Sequence, residues 1–234
     1  MDASIAFPDV FNLADYFLFD RLREAELRDK KAILFGDRTQ SYAEVAERTR
    51  ALRGVFAESG VRREERVLTI LHDTPAFVWS FFATLHHGAV VAMGNPEAPA
   101  EDLAYLVAYT RATAVVTIPR VAEAVAEALR AADIKALVLS PEVKTGGDVE
   151  AAFEVPASLA DLRPITLHDA LAKGRMWSEN GGEPPRPTRR DDVAIWLFTS
   201  GSTGRSKAAV HTHRDFAINT EHYAKNTVGY GRND

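Results

Sequence analysis

Cysteine is absent from the 234 residues, which excludes a disulfide framework, a thiolate zinc site and a cysteine nucleophile, and nothing in the chain demands an oxidising compartment. A basic block is missing as well. Lys and Arg number 28 against 33 Asp and Glu, for a net charge of −5. DNA and RNA are therefore not expected partners, because binding a polyphosphate backbone needs clustered cations. Long apolar runs are also lacking: the most hydrophobic stretch, residues 77–93, is broken by His86, His87 and Gly88, too short and too polar for a membrane span. The opening MDASIAFPDVFNLADYF has an acid at position 2 and no basic lead into an apolar stretch, unlike a secretory signal. The cytoplasm is the expected location. What is present is ordinary globular usage, with 46% hydrophobic and 26% charged residues, in a chain long enough to bury a substantial core.

The pattern along the chain is that of alternating strands and helices. Ser41-Tyr-Ala-Glu44 has capping-box spacing, in which the serine hydroxyl and the glutamate carboxylate satisfy each other's orphan backbone N–H groups. Val45, Thr49, Leu52 and Phe56 follow as one apolar stripe, and Gly60 supplies a left-handed terminator. Strands are expected at 67–71, 89–92, 114–118 and 136–139. Helices are expected from Thr74-Pro75 to Gly88, over 101–110, and over the Ala-rich 122–132. This alternation implies βαβ crossovers and an α/β fold with a mostly parallel sheet flanked by helices. PEVKTGGDVEAAFEVPAS and the polar, proline-rich SENGGEPPRPTRRDD of 178–192 read as surface connections. The second is the expected internal boundary, separating an α/β subdomain of residues 1–182 from the start of another at 183–234.

Directly after the apolar run VAIWLF comes TSGSTGRSK, residues 199–207, in which only Arg205 and Lys207 are not Gly, Ser or Thr. Gly201 and Gly204 let the backbone reach positive φ and approach a ligand closely. Thr199, Ser200, Ser202 and Thr203 add hydroxyl donors, Lys207 adds a point charge, and exposed backbone N–H groups complete a set that suits a phosphate chain. A solvated turn between strands uses the same residue types, so the chemistry alone leaves both readings open. A Walker A loop is excluded: it needs glycine just before the lysine and Ser or Thr just after, where this chain has Ser206 and Ala208.

FTSGSTGRSK resembles the phosphate-binding signature of the adenylate-forming superfamily, which comprises acyl-CoA synthetases, luciferases and peptide-synthetase adenylation domains. The one departure is Ser206, where proline is usual. The likeness extends upstream to DRTQSYAEVAERTRALRGVFAESGVRREERVLTIL, to DTPAFVW through HGAVV, and to Asn95-Pro96. FNLADYF, the DTP segment, and KAAVHTH followed by YAKNTVG look most like benzoate-CoA and related aryl-CoA ligases.

The resemblance implies an incomplete N-terminal domain of the adenylate-forming fold and a two-step reaction. A carboxylic acid, expected to be aromatic, attacks the α-phosphorus of ATP to give an acyl-adenylate and pyrophosphate; a thiol, usually coenzyme A, then takes the acyl group. Mg2+ accompanies the ATP. Thr199, Ser200, Gly201, Ser202, Thr203 and Gly204 would line the β- and γ-phosphates, and Lys207 would be catalytic by neutralising developing charge. The family's Y-G-x-T-E segment, ribose-binding aspartate, hinge and C-terminal lysine would lie beyond Asp234. An N-terminal portion that does not catalyse the overall reaction alone is therefore expected. A non-catalytic nucleotide-binding or interaction module and a carrier-protein-loading enzyme stay open as alternatives, and no feature assigns an oligomeric state.

Among the remaining residues, His211 and His213 would share one side of a strand, but a third metal ligand is not evident and no metal site is expected. Thr212-His-Arg-Asp215 reads as an N-cap opening a helix through Tyr223. His86 and His87 fall at a helix C-terminus, where positive charge meets the dipole favourably. Trp79, Phe81 and Phe82 are expected in the core, and Arg189 to Asp192 at a solvated strand entrance.

Overall fold

The computed structural model describes residues 5–199 and 205–231. The N-terminal segment makes a π-helical turn (Asp15–Phe19), a 3-10 turn (Asp20–Arg23) and the single-turn helix α1 (Ala25–Arg28). An antiparallel hairpin follows, β1 (Lys31–Phe35) with β2 (Arg38–Ser41). Helix α2 (Tyr42–Glu58) begins at the expected capping box, with Ser41 N donating to Glu44 Oε2 over 2.7 Å and Glu44 N to Ser41 Oγ over 3.2 Å. Gly60 closes the helix at φ 75°.

The main sheet has seven strands: β3 (Arg66–Ile70), β4 (Val90–Gly94), β5 (Ala114–Thr117), β6 (Ala136–Leu139), β7 (Ile165–Thr166), β8 (Val193–Thr199) and β9 (Lys207–Thr212). Their order is β7-β6-β5-β3-β4-β8-β9. All pairs are parallel except β8 with β9. The connecting helices are α3 (Pro75–His87), α4 (Ala100–Thr110), α5 (Pro119–Ala124), α6 (Ala126–Ala131) and α7 (Leu167–Glu179), with α8 (His213–Asn219) after β9. A π-helical run, Thr220–Val228, extends α8. Helix α2 packs on α3 and α7, and α4 packs on α6. Right-handed crossovers put these two groups on opposite faces of the sheet.

Strands buried on both faces need continuous apolar runs. Val67, Leu68, Ile70, Val115, Val116, Val138 and Leu139 supply them, all buried in one core with Trp79. The Trp79 indole N–H finds the Gln40 side-chain oxygen at 3.0 Å, which satisfies the one polar atom of a fully buried ring. Phe81 and Phe82 are half-buried against the core. A second cluster joins Phe11, Leu13, Leu85, Val91, Ile195 and Ala217, fastening the N-terminal segment to β8 and α8.

Three expectations change. The Ala-rich helix of 122–132 is two helices, interrupted at Val125, whose φ of −115° leaves helical geometry; a buried β-branched side chain is a poor helix former. His86 and His87 do not carry charge to the end of α3. His86 is buried and stacked on Phe19 at 4.0 Å, and burial, with Arg53 and Arg50 nearby, lowers its pKa to about 3. Burial lowers that of His87 also. The strand entrance at Arg189 to Asp192 is solvated but also paired: Arg190 bonds Asp9 at 3.1 Å, Arg214 bonds Asp191 at 3.0 Å, and Arg63 bonds Asp192. Among the described residues no helix is long and apolar enough to cross a membrane.

Candidate nucleotide-binding site

Strand β8 enters the sheet through buried Ala194 and Ile195 and leaves it at exposed Thr199. Strand β9 returns from Lys207 in antiparallel register, with Thr199 opposite Lys207 and Phe198 opposite Ala208. The Thr199 hydroxyl donates to the Lys207 carbonyl over 3.4 Å. The two ends of the glycine-rich segment thus meet at the carboxyl edge of the parallel strands, the edge where open α/β sheets bind ligands. The expected phosphate-binding residues Ser200, Gly201, Ser202, Thr203 and Gly204 lie outside the described residues.

Helix α4 supports the hairpin, which sequence reading alone had not shown. Tyr105 donates its hydroxyl to the Ser206 carbonyl over 3.4 Å, and the Arg205 guanidinium stands 5.0 Å from the centre of its ring. Tyr109, one helical turn on, meets Trp196 at 6.2 Å and Phe198 at 5.9 Å. The signal available in the sequence was two tyrosines four apart on one helix, a spacing that places both on one face.

The electrostatics suit an anion. From Val193 to Thr212 the chain has no Asp or Glu. Lys207 is exposed and has no ion pair among the described residues, so its charge is not already spent on a carboxylate. A hydroxyl and an unpaired ammonium side by side are groups that an anionic ligand can use.

The two histidines expected to share a strand face are separated. Strand β9 ends at Thr212 and His213 begins α8, with Asp215 Oδ2 accepting the Thr212 N–H at 2.7 Å. His213 is 1% exposed, and its Nδ1 accepts the Leu13 N–H at 3.1 Å. Burial lowers its pKa to about 4, and the ring is a neutral acceptor. His211 instead packs edge-on against Phe216 at 5.2 Å and stands 3.8 Å from Asp215. At the same edge of the sheet, His72, Glu97 and Glu142 are close enough for one cation to span, but Arg120 already bonds both carboxylates, at 2.6 and 3.1 Å.

Known proteins resemble this chain in sequence and fold. A 4-hydroxybenzoate-CoA/benzoate-CoA ligase of Rhodopseudomonas palustris is 27% identical over 205 residues, spanning 88% of this chain and 34% of its own length. A benzoate-CoA ligase of Thauera aromatica is 28% identical over 233 residues, 99% of this chain and 40% of that one. The crystal structure of a benzoate CoA ligase from Burkholderia xenovorans LB400 superimposes with a TM-score of 0.70 at 26% identity, covering 95% of this chain and 38% of the solved one. The chain therefore spans between a third and two fifths of the length of these relatives. The mostly parallel sheet with its flanking helices is an adenylate-forming enzyme domain in part. The sequence profile described as AMP-binding enzyme matches residues 21–234, and with that match, a resembling signature at 199–207 and a shared fold, the chain belongs to the AMP-binding enzyme family.

Proposed function

We propose that this chain forms the N-terminal part of an ATP-dependent carboxylate-CoA ligase acting on an aromatic acid of the benzoate type, in the cytoplasm. The observation that carries the reading is the hairpin, which sets Thr199 and an unpaired Lys207 side by side at the carboxyl edge of the sheet. In the first step the carboxylate oxygen would attack the α-phosphorus of ATP and pyrophosphate would leave. In the second, a coenzyme A thiol would attack the acyl carbon and AMP would leave. Within this scheme Thr199 and the segment Ser200, Gly201, Ser202, Thr203 and Gly204 hold the β- and γ-phosphates. Lys207 neutralises the charge that builds on the departing pyrophosphate, and such electrostatic stabilisation is usually the largest catalytic contribution in this chemistry. Mg2+ would arrive with ATP and screen the same phosphates, and no residue of the chain is assigned to it. The division into 1–182 and 183–234 belongs to the proposal too.

Carboxylate-dependent ATP–pyrophosphate exchange tests it, with benzoate, hydroxybenzoates and a fatty acid offered to this chain and to any longer form that its gene encodes. Exchange with the aromatic acids is expected in a form that completes the family's length. Its absence from every form would overturn the ligase reading. Lys207→Ala in the active form should slow exchange by about 10²-fold or more, and an unchanged rate would remove Lys207 from the mechanism.

A further inference from the structure

At the amino edge of the sheet, opposite the hairpin, a cavity of about 440 Å³ lies between the end of α2, the turn into β3, the end of α3 and the 183–186 connection. Arg53, Arg62, Arg63 and Arg186 line it together with His87, and Glu183 is its one acidic residue. Four guanidiniums at one cavity are unexpected in a chain whose net charge is −5.

Ordinary structural roles do not account for all four. Arg63 is paired with Asp192 and with Glu64, and Arg53 donates to the Glu183 carbonyl at 2.7 Å. The side chains of Arg62 and Arg186 have neither a carboxylate nor a hydrogen-bond partner among the described residues. Arg53 is 7% exposed, its guanidinium is stacked 4.9 Å from the Trp177 ring, and its Nε is buried with no partner. A buried donor left in that state carries its desolvation cost with no hydrogen bond to offset it. Two helix C-termini, those of α2 and α3, point into this end of the molecule, and each contributes about half a negative charge. Asp192 and Glu64 both answer Arg63, and Glu183 is the one acid at the cavity, which leaves the guanidiniums of Arg62 and Arg186 without a carboxylate of their own among the described residues. Behind burial, which is the larger cause, Arg53 and Arg186 both act against protonation of His87.

We infer that this cavity is a second anion site, distinct from the hairpin, which takes a phosphate group through the fork-shaped guanidiniums of Arg62 and Arg186, with Arg53 as the buried member. Guanidinium is matched in geometry to the oxygens of phosphate and binds them in pairs. The ligand is a small phosphate compound, either free phosphate or the monoester of a nucleotide. The site does not depend on the proposed ligase activity.

Isothermal titration of the chain with inorganic phosphate and, separately, with AMP tests the inference. Saturable binding of at least one of them is expected, retained in Lys207→Ala and weakened at least tenfold in the Arg62→Gln, Arg186→Gln double variant. Both arginines are exposed, so the double variant should keep the fold, and Arg62→Ala with Arg186→Ala should repeat the loss. Retained binding in both double variants, loss in Lys207→Ala instead, or no saturable heat with either compound would each overturn the second site. Tighter binding of AMP than of phosphate would identify the ester as the ligand.

Discussion

At His213, Nδ1 accepts the Leu13 N–H at 3.1 Å inside the small core cluster, and burial holds the ring's pKa at about 4; that of His86 is about 3. Both values lie below the ordinary histidine value of 6.5, so the unfolded chain takes up protons that the folded chain refuses. Their contribution to stability is complete above pH 6.5 and is lost as the pH falls towards 4, at a slope of about 1.4 kcal/mol per pH unit for each ring. Urea midpoints measured from pH 7 down to pH 4.5 should fall accordingly. His213→Leu should cost about 1–3 kcal/mol at pH 7 by leaving the Leu13 N–H without an acceptor, and should flatten the acid slope; an equal slope in the variant would show that other groups set it. The residues 211–213 illustrate what one sequence conceals. Alternation alone put His211 and His213 on one strand face, but Asp215 caps a helix that starts at His213, and that single change of period turns one histidine into the core.

Helices α2 and α7 cross at glycines. A Cβ on Gly174 would stand 1.8 Å from the Ala51 carbonyl oxygen, and one on Gly54 would meet the Trp177 ring at 2.9 Å. Alanine in place of Gly174 would gain about 1 kcal/mol of helix propensity. The backbone clash is the larger effect, because no flexible side chain can move aside and overpacking costs about 1–3 kcal/mol or more. Gly174→Ala should therefore destabilise the protein in chemical denaturation, and a stabilised variant would mean that the helices separate freely. Legibility at this scale followed the strength of local signals. Helix α2 announced itself through Ser41 and Glu44, and α3 through Pro75 and the left-handed Gly88 at φ 81°. Helix α7 lies between two polar connections and is not among the expected helices, although Leu167, Ala170, Leu171 and Gly174 repeat at helical spacing. The β1–β2 hairpin has little alternation to reveal it, with its four β2 residues exposed or half-buried.

For the whole molecule, the strands β3 to β6 and their parallel arrangement were readable from sequence because each is a short apolar run bounded by helix signals. Their lateral order was not, since it depends on which strand each crossover returns to. Nothing in the chain between residues 178 and 192 announces that β8 will lie beside β4. Beyond the proposed boundary at 182, β8 and β9 pair into the same sheet as the strands before it. Limited proteolysis with a broad-specificity protease should nick the exposed 181–187 connection. The two pieces should still co-elute, because Leu85 and Val91 share a cluster with Ile195 and Ala217; separation of the pieces on a sizing column would show two independent units. The hairpin was the most legible part of the candidate site, and its support from Tyr105 and Tyr109 the least, since that rests on a helix about a hundred residues away in the chain.

The placement of β8 also sets the order in which the molecule can be built. Val91 pairs with Ile195 across on the order of a hundred positions, whereas each earlier crossover returns after a few tens of residues. Closing the longer loop carries more entropy, about 0.6 kcal/mol for every doubling of length, and long-range pairings of this kind are slow. Strand β8 is thus expected to dock late in folding, onto a sheet edge that has already formed. Affinity for a nucleotide at the hairpin would then report on the finished protein, absent from partly folded intermediates and acquired with the final strand.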